Sequence, residues 1–243
     1  MILSSKNHDE FYTSLDKMGF REKINRDKSV LIKVNFARPA EPEHPRTDVK
    51  ILSEVIQYIY SYGGTCAIAE SANGYLRKNL EFAGLSNIIS YYKVDVIDLD
   101  FEEAELITIT GEEHYLPKCL KDYGIRIAIP ATSKRPNMVF SNNVKLFVGA
   151  VPRRMYQVDN KIVDWRPRVH IDLHKSVANI FYSIQSYSPF CLFINGGLAM
   201  AENKGEFSFN EILVGNDGVE LDLYVLKNFF SNLDTPDYIR RLI

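Results

Sequence analysis

Apolar positions change their spacing repeatedly along this chain, and each change marks an element. Residues 11, 12, 15 and 18 have helical spacing, and Gly19 stops that run. VLIKVNF (30–36) is a short apolar run of strand type. Residues 38–47 contain Pro39, Pro42 and Pro45 and read as a loop. Thr47 or Asp48 can then cap a helix running to about Tyr62 and ending at Gly63-Gly64. TCAIAE (65–70) and VDVID (94–98) are further strands, separated by two short helical pieces around Gly84. Alternation over 105–117 with a GEE turn predicts a hairpin. IRIAIP (125–130) is a strand, and a polar loop with Lys134 and Pro136 leads to a helical piece over 141–149. A helix is expected from Pro167 to about Tyr187, with proline suited to its first turn. FCLFIN (190–195) is a strand before Gly196-Gly197, and EILVG (211–215) is the last strand. A helix from Asp217 to Phe230 comes last, and Asp217 with Glu220 matches a capping box.

Strands alternating with helices predict an α/β fold, a mostly parallel twisted sheet flanked by helices with an antiparallel hairpin insertion. With no repeat and no linker, residues 1–243 read as a single α/β domain of one or two lobes. The composition, 46% hydrophobic and 25% charged, is that of a globular chain. A net charge of −2 argues against a dedicated nucleic-acid binder. No stretch reaches the ~18 apolar residues of a membrane helix, and the polar, acidic start does not suit a signal peptide. The expectation is a cytoplasmic protein with no membrane and no nucleic-acid partner. Cys66, Cys119 and Cys191 are far apart and match no disulfide or local metal motif.

In parallel sheets ligands bind beyond the carboxyl ends of the strands. Four predicted strands end in polar groups there: Asn35, Glu70 with Ser71, the segment leading to Lys134, and Asn195 before two glycines. Lys33 is more pointed. Alternation puts it on one face with Leu31 and Asn35, and a sheet covered on both faces obliges it to find a partner. Glu70 is the nearest candidate in sequence, and an edge position with the ammonium reaching water is the alternative. Residues 134–170 carry Lys/Arg at 134, 135, 145, 153, 154, 161, 166 and 168 against acids at 159 and 164, an excess of +6. Seven acids and no base lie between Asp98 and Glu113. Either these blocks pair within the fold or the basic one forms a mouth for a carboxylate or phosphate. His170 and His174 are four apart on a predicted helix, which allows a shared metal, but no third ligand is evident and no metal is assigned. His170 suits a lone general base better. Asp222 can face either the cleft or solvent. No GxGxxG or Walker A pattern is present.

VLIKVNF resembles the "vliKpNl" opening of the domain-of-unknown-function 362 family. Arg46-Thr47-Asp48 before a helix, YGGTCAIAES, AIPATSKRPN, NNVKLFVGAVP, NGGLAMAENKGEF and EILVGNDGVELD are similar to later family segments in the same order. The resemblance runs from about residue 30 to 230. Lys134 and Lys145 match family lysines, and His170 falls where the family carries a histidine. Pro136 replaces a family histidine, Leu146 an asparagine and Asn195 an acid. Many members carry a four-cysteine iron–sulfur module, and three scattered cysteines do not supply one.

The expected function is that of an enzyme acting on an anionic small molecule by proton transfer next to a carbonyl, an isomerisation, cyclisation or condensation without a cofactor. His170, Lys134 and Lys33 are the candidate catalytic residues. Asn35, Glu70, Ser71, Lys145, Arg153, Arg154 and Asn195 are the candidate substrate contacts. A metal or redox accessory and a non-catalytic ligand-binding protein are the alternatives. The oligomeric state stays open, a homodimer included.

Overall fold

The computed structural model describes residues 1–36, 46–109, 111–135, 138–156, 172–201 and 205–243. In chain order the elements are β1 (Ile2–Ser5), α1 (His8–Lys17), α2 (Phe20–Arg26), β2 (Ser29–Lys33), α3 (Val49–Ser61), β3 (Thr65–Glu70), α4 (Leu76–Phe82), α5 (Ser86–Tyr92) and β4 (Asp95–Asp98). The hairpin β5 (Ala104–Ile109) and β6 (Glu112–Pro117) comes next, then β7 (Ile125–Ala128), β8 (Ser133–Arg135), β9 (Met138–Ser141) and α6 (Asn143–Leu146). The chain continues through α7 (Leu173–Tyr187), β10 (Leu192–Asn195), β11 (Leu198–Ala201), β12 (Gly205–Ser208), β13 (Ile212–Gly215), α8 (Gly218–Phe229) and α9 (Asp237–Arg240).

Seven strands form the main sheet in the order β1-β13-β10-β7-β2-β3-β4. The five from β10 to β4 are parallel, and β13 and β1 are antiparallel additions at one side. Burial explains the near-continuous apolar runs. Val30, Ile32, Ile68, Ile127 and Ile194 pack on one face, in a core with residues of α1, α2 and α3. Leu31, Ala69, Ala128 and Phe193 pack on the other, in a core with residues of α7 and α8. Each strand therefore alternates between two buried faces, as a covered parallel sheet requires.

The hairpin forms as expected, with Ala104 opposite Pro117 and Ile109 opposite Glu112. It docks on α7 through Lys175–Glu112 at 2.6 Å and Tyr187 donating to Glu105. Much of the acidic run is consumed locally: Glu103 pairs with Lys118 and Glu105 with Lys121, neither from the basic block. Asp48 caps α3, accepting from the amides of Lys50 and Ile51. Asp217 caps α8.

Three expectations differ. Gly19 ends α1 but also begins α2, its φ of +71° being a turn that glycine adopts cheaply. The segment read as a polar loop around Lys134 is strand β8, in a second sheet of order β12-β11-β8-β9. The third difference concerns α7, which starts at Leu173 behind an Asp172 cap and carries His174 in its first turn, while Pro167 and His170 lie outside the described residues. No helix among the described residues is long and apolar enough to cross a membrane.

Candidate functional site

Parallel strands place their carboxyl ends at one edge of the sheet, and polar residues collect there. Among the described residues, the buried polar ones other than Ser5, Ser14, Ser183 and Ser188 lie at or against this edge. Lys33, Glu70, Asp98 and Asn195 are the last residues of β2, β3, β4 and β10.

Lys33 and Glu70 stand on adjoining strands, with Lys33 in register with Ala69. Their side chains meet at 2.9 Å and are fully buried. Lys33 Nζ also donates to the Val34 carbonyl at 2.8 Å. The Glu70 carboxylate accepts from the Ser71 amide at 2.8 Å and the Phe36 amide at 3.3 Å. Burial lowers the lysine pKa and raises that of the carboxyl, while their mutual attraction opposes both shifts. Gly149 closes over the pair. A Cβ there would lie 2.5 Å from Glu70 Oε1, so only glycine permits the approach.

Beside the pair, Asp100 accepts from Ser71 Oγ, from the Asn73 amide at 2.7 Å and from the Arg153 amide at 2.6 Å. The Arg153 guanidinium lies 3.8 Å from Asp100 and donates to the Ser71 carbonyl at 3.0 Å. The amides of residues 71–74 point to Glu70, Asp98, Asp100 and Asp98 in turn. Such a run of amides would suit a phosphate, but here the protein's own carboxylates fill it.

A second cluster has Asn195 at its centre. Asn195 Oδ1 accepts from Asn143 Nδ2 at 2.7 Å, and its Nδ2 donates to Asn142 Oδ1 and to Thr132 Oγ1. Asp222 of α8 accepts from the amides of Asn143 and Val144 at 2.9 and 3.1 Å and from Asn143 Nδ2 at 2.9 Å. Burial pushes its carboxyl up to about 7, against the pull of those donors. Lys33, Ala128 and Phe193 share one face and register on β2, β7 and β10. Asn195, two residues past Phe193, is thus on the same face as Lys33, roughly 10 Å away across one intervening strand.

Residues 142–153 bridge the clusters. Their start is held by Asp222 and Asn195, Gly149 accepts from the Ser71 amide at 3.0 Å, and Arg153 reaches Asp100. Lys145, on α6 near the start of this bridge, is half-buried.

The structure therefore gathers Lys33, Glu70, Ser71 and Arg153 into one cluster and puts Asn195 in its neighbour, with Lys145 on the short helix α6 that Asn143 begins. Asn35 is tied by its backbone to Thr47, and Thr47 to the Ile129 carbonyl. Lys134, half-buried on β8, stands two residues beyond Thr132. Arg154 turns outward to the Phe101 carbonyl and ring. His170 lies outside the described residues. His174 stacks on Tyr238 at 5.8 Å. No group of three or more metal-ligating side chains is found among the described residues. Asp100, Asn142, Asn143 and Gly149 do not stand out in the sequence. The doublet Asn142-Asn143 just before Lys145 was the available signal, while Asp100 was hidden in an acidic run. Asp222, which could have faced cleft or solvent, faces inward.

The model of the family "Domain of unknown function (DUF362)" matches residues 30–227, from β2 into α8, and so takes in the whole carboxyl edge. No curated protein matches the chain.

Proposed function

The chain belongs to the domain-of-unknown-function 362 family, and from that footing we propose that it is an enzyme acting on an anionic small molecule, moving a proton next to a carbonyl. One observation carries this reading: a buried lysine–glutamate pair at abutting strand ends, in the part of the molecule where most of the buried polar groups among the described residues collect. Buried charge is costly, and titratable groups under opposing burial and attraction concentrate at functional sites.

The roles derive from exposure. Lys33 and Glu70 are sealed beneath Gly149 and fix the charge and geometry of the edge. Lys134, Lys145 and Arg153 are half-buried and meet the anion, and of the two neighbouring arginines Arg153 is the one turned to the site. Half-buried Asn35 orients the substrate, and Asn195, fully buried with both ends of its amide engaged, holds the start of the 142–153 segment in place. His170 keeps its role as base: it takes the proton from the carbon beside the carbonyl, the electron pair moves to the carbonyl oxygen, and the neighbouring cations stabilise that enolate until a proton returns.

A direct test monitors the protons beside the carbonyl of pyruvate, 2-oxobutyrate and 2-oxoglutarate in D2O by NMR. The expected result is catalysed exchange on at least one of them, lost in His170→Ala while thermal stability holds. Unchanged exchange in that variant removes the base, and no exchange on any of the three contradicts the proton-transfer reading. A second reading, ligand binding without chemistry, is favoured by the mutual saturation of Lys33 and Glu70. Saturable binding of the same acids with no exchange would select it.

A further inference from the structure

At the opposite, amino edge of the sheet lies a depression of about 330 Å³. Lys23 and Arg26 of α2 line it, with Arg126 of β7 and Asp27. Ile125 and Cys191, at the starts of β7 and β10, contribute apolar wall.

Its charges are not balanced internally. Arg126 is half-buried, and its Nε and Nη1 are spent on three carbonyls, those of Pro189, Leu120 and Tyr123. No carboxylate lies within ion-pair distance of it among the described residues. Burial lowers its pKa against the opposing pull of Cys191 and Asp27. The one acid in the lining is already engaged. Asp27 accepts from the Ser29 amide at 3.1 Å and the Ser29 hydroxyl at 2.8 Å, which hold its pKa below the usual carboxylate value. Three cations thus face one carboxylate, whose Oδ1 already takes both Ser29 donors. A partly desolvated cation without a counter-ion is stabilised by an incoming anion, and an apolar wall beside it is stabilised by an apolar body.

We propose that this depression is a second ligand site, separate from the carboxyl edge, for a small organic anion in which a carboxylate or phosphate is joined to an apolar group. The anionic head meets Lys23, Arg26 and the outer edge of Arg126, and the body lies on Ile125 and Cys191. The site does not depend on the enzyme reading given above.

Phenyl phosphate, benzoate and benzyl alcohol serve as probes, titrated into the full chain by calorimetry and by NMR. The expected result is saturable binding of phenyl phosphate or benzoate, with protection from amide exchange over 23–27, 124–126 and 190–191. Affinity should fall at least tenfold in the double variant Lys23→Ala/Arg26→Ala, whose changes lie on the outer surface of α2. It should also weaken with salt, and benzyl alcohol should not compete. Lys134→Ala should leave this binding unchanged. Binding of equal strength in the double variant, protection only at the carboxyl edge, or no saturable binding of either anion overturns the proposal. Protection only at the carboxyl edge would leave the enzyme reading standing, so the two can fail separately.

Discussion

The two edges of one sheet treat charge in opposite ways. At the carboxyl edge Lys33 is paired with Glu70, and Asp222 receives backbone and amide N–H donors. At the amino edge Arg126 has only carbonyls, and Lys23 and Arg26 stand around an open depression. The same strands β2, β7 and β10 run between the two. The segments attached to the two ends make the difference. Loops leaving the carboxyl ends carry acids and asparagines and are roofed by residues 142–153, whereas the amino ends meet only α2 and the turns before β7 and β10. The roofed network sets geometry, although Asn143 Oδ1 within it has no partner among the described residues, and the cation-rich rim stands open to anions from solution.

Breaking the pair should give the largest effect. Lys33→Met leaves Glu70 buried without its cation, and a loss of about 3–5 kcal/mol is expected in chemical denaturation. Lys33→Met/Glu70→Gln should recover a substantial part, because no charge then remains unpaired. A single-variant cost below about 1 kcal/mol would contradict the claim that the pair organises this edge.

Asp222 comes next and sharpens the contrast through pH. Its folded pKa of about 7 lies above the ordinary value of 3.8, so between those values the native state holds the proton more tightly than the unfolded state. This group's contribution to stability is therefore complete below about pH 4 and declines as pH rises to about 7, by roughly 2–4 kcal/mol. Denaturation midpoints across that window should show the decline, and Asp222→Asn should remove it. An identical pH slope in the variant would place the titration elsewhere.

Gly149→Ala is expected to cost about 1–3 kcal/mol, because the added methyl meets Glu70 and Lys33. Thermal unfolding would register it, and a neutral result would mean that residue 149 has room the structure does not allow. At the other edge, Lys23→Ala/Arg26→Ala should change stability by less than about 0.5 kcal/mol. A larger loss would show that those cations already have partners.

The parallel core was legible because its strands are apolar runs that only a sheet covered on both faces can bury. The Lys33–Glu70 contact was legible for a related reason: a lysine inside such a run demands an acid, and the next strand ended in one. Other features depend on geometry that no local pattern records. Asp100 reaches Ser71 through the tight turn Leu99–Phe101. Arg153 and Arg154, adjacent in sequence, diverge to the site and to Phe101. The small sheet around Lys134 is built from strands of three or four residues that find their partners as far away as β11 and β12.

The most direct measurement asks which edge does the chemistry. Exchange in D2O of the protons beside the carbonyl, on whichever of the three 2-oxo acids the native chain exchanges, would be compared in the native chain, in Lys134→Ala and in Lys23→Ala/Arg26→Ala. Exchange is expected to disappear in the first variant and persist in the second. Exchange that survives Lys134→Ala, or that vanishes when only the amino edge is changed, would contradict it.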